Sequence, residues 1–419
     1  MANYTKQQLR KKAMRKFENK MKKFFKVVAI VVLVAILAVA ACFSAVVISN
    51  SVSTKNEIAL LKSEQLYNPV DIDNGRCINV ATMGNEDAKH TIVTISGLGV
   101  QDFSVFVQHI GRKLNGNTRL ALVDRAGYGI SDDSKKSQTV EQIIADYRTA
   151  LQKAGIEGPY ILLAHEFGGV YATYWSLKYP EEVEGIMYLD GTELLDSTNV
   201  RDIPITKEDK IKSFLYGIGF QRFSYNQFFS ASAISLSKEE SECSRSLNAN
   251  SIMTSAYLSE MSLQKSNFDT VKQMLEQTDT PKLYVSSKNA FSYEKDVIKY
   301  WEYKNRLHKE RELAPFYVFS YEAEDVTADA QAFIKECQEK YKNETMVFAD
   351  KLGNCIITKM PGDVNIYEQK AEGLVDAVAD FIRYLDGNKN AVKAYYEDTR
   401  VIDWENYVDT QLGQTEPTN

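Results

Sequence analysis

The chain has 419 residues, 44% of them hydrophobic and 25% charged, with a formal net charge of -6. That composition excludes a disordered, collagen-like or low-complexity chain, and no repeat recurs at a fixed period. The length allows one large domain or two ordinary ones. The charge is unevenly spread: ten Lys or Arg lie between Lys6 and Lys26, with Glu18 the only acid among them. The rest is acidic, which argues against nucleic acid as a partner.

The basic segment, 1–26, leads into VVAIVVLVAILAVAACFSAVVI, Val27 to Ile48, with no charge and Ser44 its only clearly polar residue. As a helix these residues span about 33 Å, enough to cross a hydrocarbon core of roughly 30 Å. The expectation is a single-pass transmembrane helix over 27–49. The basic flank would stay cytoplasmic and the body would lie outside the cell. Two other readings stay open. One is a cleaved signal peptide; the other is lipidation at Cys42, where VAAC resembles a lipobox. The apolar run continues past Cys42 to Ile48, which favours an uncleaved signal anchor.

Residues 50–69 are polar and helix-tolerant, and read as a stalk. Strands and helices then alternate. Ile78–Gly84, Thr91–Gly97 and Arg119–Asp124 read as strands, and Thr139–Ala154 carries apolar residues at helical spacing. Tyr160–His165, Phe167–Lys178 and Val183–Gly191 read as strand, helix and strand. Short apolar strands alternating with helices predict a mainly parallel sheet covered on both faces. The alternation breaks at Thr192 and resumes with the strand Pro281–Ser287, so 193–279 is expected to form a helical lid over the C-terminal edge of the sheet. Tyr293–Pro315 is a second, charged insertion. Helix Ala328–Lys342, strand Cys355–Pro361 and helix Ala371–Leu385 close a body spanning 70–386, before a polar tail, 387–419. Cys77, Cys243, Cys337 and Cys355 are widely spaced without a CxxC, so no zinc site is read. Outside the cytoplasm they could pair or remain buried thiols. No metal or cofactor is expected.

Three stretches carry a resemblance to the α/β-hydrolase superfamily over roughly 70–386. SGLG, Ser96–Gly99, sits where the family has its oxyanion loop. VDRAGYGISD, Val123–Asp132, resembles its DRPGYGRS signature. GPYILLAHEFGGVYATYW, Gly158–Trp175, resembles its nucleophile elbow. The similarity is greatest to bacterial members with an N-terminal membrane helix. It implies an α/β-hydrolase fold whose oxyanion donors would come from the loop Gly97–Leu98 and from Phe167.

The elbow position itself holds Glu166 where the family has serine. The family's histidine position, read from MPGDVNIY, falls on Val364, and the acid position falls near Asn289, with Asp190 as a fallback. None of His90, His109, His165 and His308 is placed to serve: His165 is expected to point away from the elbow tip. Some family members use aspartate at the elbow, but the ester formed there needs a histidine-activated water. At a helix N-terminus Glu166 is expected as a carboxylate favoured by about 0.3–1 kcal/mol, filling the oxyanion hole. The resulting expectation is a membrane-tethered pseudoenzyme acting as a binding or interaction module for a small molecule or protein. The alternative is an active hydrolase of ester, amide or epoxide type built around Glu166, for example paired with Asp363.

Overall fold

The computed structural model describes residues 6–114, 116, 118–196, 198, 200–223, 236–287, 291, 293–310, 317–318, 320, 322–360 and 371–396. Helix α1, Lys6–Ser63, runs unbroken from the basic flank through the apolar stretch and beyond it. Residues 50–63, expected as part of a stalk, therefore continue the same helix. Its end is packed into the body, where Leu61 and Leu66 are buried. Among the described residues α1 is the one helix long and apolar enough to cross a membrane.

The body is built on an eight-stranded sheet. In chain order the strands are β1 Pro69–Asp73, β2 Arg76–Gly84, β3 His90–Ile95, β4 Thr118–Asp124, β5 Tyr160–His165, β6 Val183–Leu189, β7 Lys282–Ser286 and β8 Cys355–Lys359. Their spatial order is β1-β2-β4-β3-β5-β6-β7-β8. The pairs β1–β2 and β2–β4 are antiparallel, and every later pair is parallel.

Side chains alternate across the sheet. Ile92, Leu120, Ile161, Leu163, Met187 and Leu283 enter one core, against α2 (Phe103–Lys113) and the final helix, α12 (Ala371–Leu385). Val93, Ala121, Leu162, Ala164, Ile186 and Tyr284 enter the other, against α3 (Val140–Lys153) and α4 (Gly168–Lys178). A strand buried on both faces has to be apolar throughout, which is why these strands read as continuous hydrophobic runs.

Between β6 and β7 lie helices α5 Lys207–Gly217, α6 Lys238–Ser251, α7 Ser255–Met261 and α8 Gln264–Met274, with a 3-10 turn at Phe220–Phe223. This is the lid region. Helices α9 Glu294–Glu310, α10 Ala323–Lys340 and α11 Met346–Leu352 lie between β7 and β8. The polar tail begins packed, not free: Tyr396 is buried, and its N–H donates to the Lys359 carbonyl at the β8 edge. Cys77, Cys243 and Cys355 are free thiols, so the pairing left open by the sequence is not used by these three; Cys42 is exposed on α1.

Candidate functional site at the strand-to-helix elbow

Glu166 connects β5 to α4 at the C-terminal edge of the sheet, with φ at +46°. A left-handed conformation at a residue with a side chain costs on the order of 1–3 kcal/mol. It is held by its surroundings. The Glu166 N–H donates to the Leu189 carbonyl at 3.1 Å, and its own carbonyl accepts from Gly169 at 2.9 Å and Thr192 at 3.0 Å. The chain can turn so tightly because Gly168 has no side chain: an added Cβ would stand 2.4 Å from the Ile95 carbonyl oxygen and 2.8 Å from that of Ser96. These are backbone atoms at the end of a central strand, which cannot swing aside as a side chain could. Gly168→Ala is therefore expected to destabilise the fold by about 1–3 kcal/mol or more, read as a lowered midpoint in urea denaturation.

The Glu166 carboxyl departs from the sequence expectation. Among the described residues no hydrogen bond reaches it, and none of them accepts from the N–H groups of Leu98 and Phe167. The carboxyl is half-buried and rests beside Gly97, where an added Cβ would lie 2.9 Å from Oε2. Burial pushes its pKa up, with no compensating hydrogen bond. Desolvation is the cause of the rise, and no hydrogen bond from the Leu98 or Phe167 N–H to the carboxyl offsets it.

His165 also differs. Its ring is fully buried and stacked on Phe103, with centroids 5.7 Å apart. It does not simply turn away. The same missing Cβ of Gly97 would stand 2.8 Å from His165 Nδ1, so imidazole and carboxyl converge on one glycine of the oxyanion loop. His90 is structural: Nδ1 lies 2.9 Å from Glu184 and Nε2 3.2 Å from Asp386, at the opposite edge of the sheet. His109 lies 3.4 Å from Glu240. Asp190 ends β6 with φ at +43°, and its Oδ1 accepts from the Ser287 N–H at 2.7 Å. The positions expected for the family's histidine and acid, Val364 and Asn289, lie outside the described residues, as do Asp363 and the His308 side chain.

One residue that organises this region escaped the sequence reading. Arg125 is buried beneath the oxyanion loop. One terminal nitrogen donates to the Ser96 carbonyl at 3.0 Å and to its hydroxyl at 2.6 Å; the other donates to the Gly97 carbonyl at 3.0 Å. From the lid, Glu260 on α7 accepts from Arg125 at 2.8 and 3.1 Å and from the Tyr171 hydroxyl at 2.6 Å. The guanidinium also lies 3.6 Å from the centre of the Tyr128 ring, whose hydroxyl oxygen accepts from the Gly99 N–H. Burial is the largest single influence on Arg125 and acts to lower its pKa; Glu260 together with Tyr128, Tyr147 and Tyr171 outweighs it and keeps the group charged. Arg125 thus acts as a positioning residue, tying the oxyanion loop to the lid.

Comparison with known proteins agrees with this geometry. A family model described as the alpha/beta hydrolase fold matches residues 92–301. The chain is 31% identical over 233 residues to the uncharacterized protein YbdG of Bacillus subtilis, covering 54% of this chain and 70% of that protein. It is 25% identical over 136 residues to a 1-acylglycerol-3-phosphate O-acyltransferase of Arabidopsis thaliana, covering 32% of each. Among solved structures, an acyltransferase candidate from Salmonella enterica superimposes with a TM-score of 0.52 at 14% identity, over 76% of this chain and 95% of that one.

Proposed function

The chain belongs to the α/β-hydrolase family, and from that membership we propose that it is a membrane-tethered, extracytoplasmic binding module on a hydrolase scaffold. The observation that carries the reading is the elbow. A strained tip still presents a side chain against Gly97 of the SGLG loop, but that side chain is a carboxyl and not a hydroxyl. By the family resemblance the N–H groups of Leu98 and Phe167 are the donors of an oxyanion hole, which suits a carbonyl or carboxylate oxygen. A Glu166 carboxyl pushed toward its protonated form can donate a hydrogen bond to the same group. Without a nucleophilic hydroxyl the bound group is held rather than cleaved. The relative from Arabidopsis, an acyltransferase of 1-acylglycerol-3-phosphate, supports an acylated amphiphile as the ligand class.

The test is a screen of p-nitrophenyl ester, amide and epoxide turnover by the full chain, beside Glu166→Ala and Glu166→Ser. Wild type is expected to turn nothing over and to resist serine-directed phosphonates. Fatty acids or esters are expected to raise its melting temperature, as any ligand of the native state does. Glu166→Ser alone should gain little, because nucleophile and base act as a unit; esterase activity is expected only when Val364→His joins it. The second reading, a hydrolase using Glu166 as acid or base, is favoured by the raised carboxyl pKa. Turnover by wild type that Glu166→Ala abolishes would establish it and remove the binding reading.

A further inference from the structure

Among the described residues the lid is fastened to the anchor helix by Arg222 and by Asn250 of α6, which accepts from Thr54 at 3.2 Å and donates to Glu57 at 2.8 Å. Arg222, in the turn Phe220–Phe223, donates from Nε to Asn50 at 2.6 Å, from its terminal nitrogens to the Glu57 carboxylate at 2.5 and 2.9 Å, and to Thr54 at 3.2 Å. Asn50, Thr54 and Glu57 follow one another at spacings of four and three along α1, so they form one face of that helix. Just before the turn, Gly219 (φ +114°) comes so close to α1 that an added Cβ would stand 2.6 Å from the Asn50 Cβ. The docking is therefore rigid and reaches down the anchor.

It also reaches into the apolar run. The rings of Phe220 and Phe43 lie 5.5 Å apart. Phe43 precedes Ile48, the end of the apolar run, by five residues, which places it about 7–8 Å inside that end at 1.5 Å per residue. Beside Phe220 the turn exposes Phe223 (75%), and α5 with the segment before it exposes Phe214 (64%), Ile211 (58%), Ile203 and Ile205. In water, apolar side chains gathered this way mark a surface made to be covered. The lysines of α5, Lys207, Lys210 and Lys212, are exposed among them, with stems long enough to reach a headgroup layer.

From this placement we propose that the face formed by α5 and the turn Phe220–Phe223 lies in the surface of the lipid bilayer, continuous with the apolar flank of α1. The proposal rests on α1 being the membrane span. The bilayer is the occupant because this exposed face continues the apolar run of α1, whose side chains from Val27 to Ala45 are exposed. A cavity of about 480 Å³ between α5 and α7 shares Ile205 and Phe214 with this face and is further lined by Ile218 and Leu258. Its mouth then opens at lipid level, where an acyl chain can enter without crossing water.

The experiment uses the full chain in liposomes, with Phe223→Trp as the probe and Lys153→Trp, at the opposite edge of the sheet, as control; the unsubstituted protein supplies the background emission. Liposomes are made with ordinary lipid or with lipid brominated in the upper acyl chain. A face seated roughly 5–10 Å into the interface lies within reach of those bromines, and loss of about half or more of the added emission is expected for Phe223→Trp only. Phe214→Trp reads the same face should the first variant fold poorly. If the protein floats with the liposomes but neither lid probe is quenched, the proposal is overturned while the anchor stands. Protein that does not float with liposomes overturns the anchor reading, and the proposal falls with it.

Discussion

Arg125→Met is expected to destabilise the folded protein by about 3–5 kcal/mol, the typical cost of removing one member of a buried ion pair. Both partners are 2% exposed, so Glu260 would be left as an uncompensated carboxylate that water cannot reach. The carbonyls of Ser96 and Gly97 would lose their donors as well. The measurement is urea denaturation of the full chain in detergent, followed by tryptophan emission. The double change Arg125→Met with Glu260→Met is expected to recover most of the loss, because a well-packed apolar pair can replace a buried ion pair at little cost. The non-additivity separates the pair from simple loss of packing. A single change costing under about 1 kcal/mol would mean that the pair behaves as a surface salt bridge and that the lid is not tied down through it.

The second large effect concerns Asp124, the acid of the DRAGYG stretch. Burial pushes its carboxyl up to about 7 from 3.8, against hydrogen bonds from Asn79 and Ile130 that act to lower it. The folded state therefore keeps a proton that the unfolded chain releases between about pH 4 and pH 7. Stability is greatest below this window and falls as pH rises through it. Fully expressed, the shift is worth on the order of 4 kcal/mol at 1.36 kcal/mol per pKa unit. Asp124→Asn keeps an acceptor for Asn79 and removes the titration, so its stability should stay nearly level where that of the parent declines. Asp102, also raised by burial, contributes a slope of the same sign in both proteins, so the comparison is of the difference between them. The check is denaturation of both proteins at pH 4.5 and pH 7.5. Parallel pH profiles would show that Asp124 is already ionised in the folded state.

Much of the architecture was legible in the residues because burial on both faces forces continuous apolar strands. The cores of β3 to β8 fall where Thr91, Arg119, Tyr160, Val183, Pro281 and Cys355 begin apolar runs, and the lid occupies the gap between β6 and β7. The elbow was legible too, since Ala164, Gly168 and Gly169 leave room that only a tight strand-to-helix turn needs. Strand β1, PVDID, was not; a polar edge strand lacks the signal that burial imposes. Nor was the continuation of α1 past the apolar stretch, because helix propensity alone does not say what a polar helix will pack against.

At the site, the replacement of serine by Glu166 was determined by the sequence alone, as was the scaffold that holds it. The protonation tendency of that carboxyl was decided only by the tertiary structure: it depends on how many donors and how much water reach it, and those come from Gly97, Leu98 and Phe167 on separate elements. The Arg125–Glu260 pair spans 135 positions, and the Arg222 clamp on Asn50, Thr54 and Glu57 spans as many as 172. Charged residues at such separations read as ordinary surface residues until folding removes the water around them, and then each must find the one partner that lies within hydrogen-bond reach.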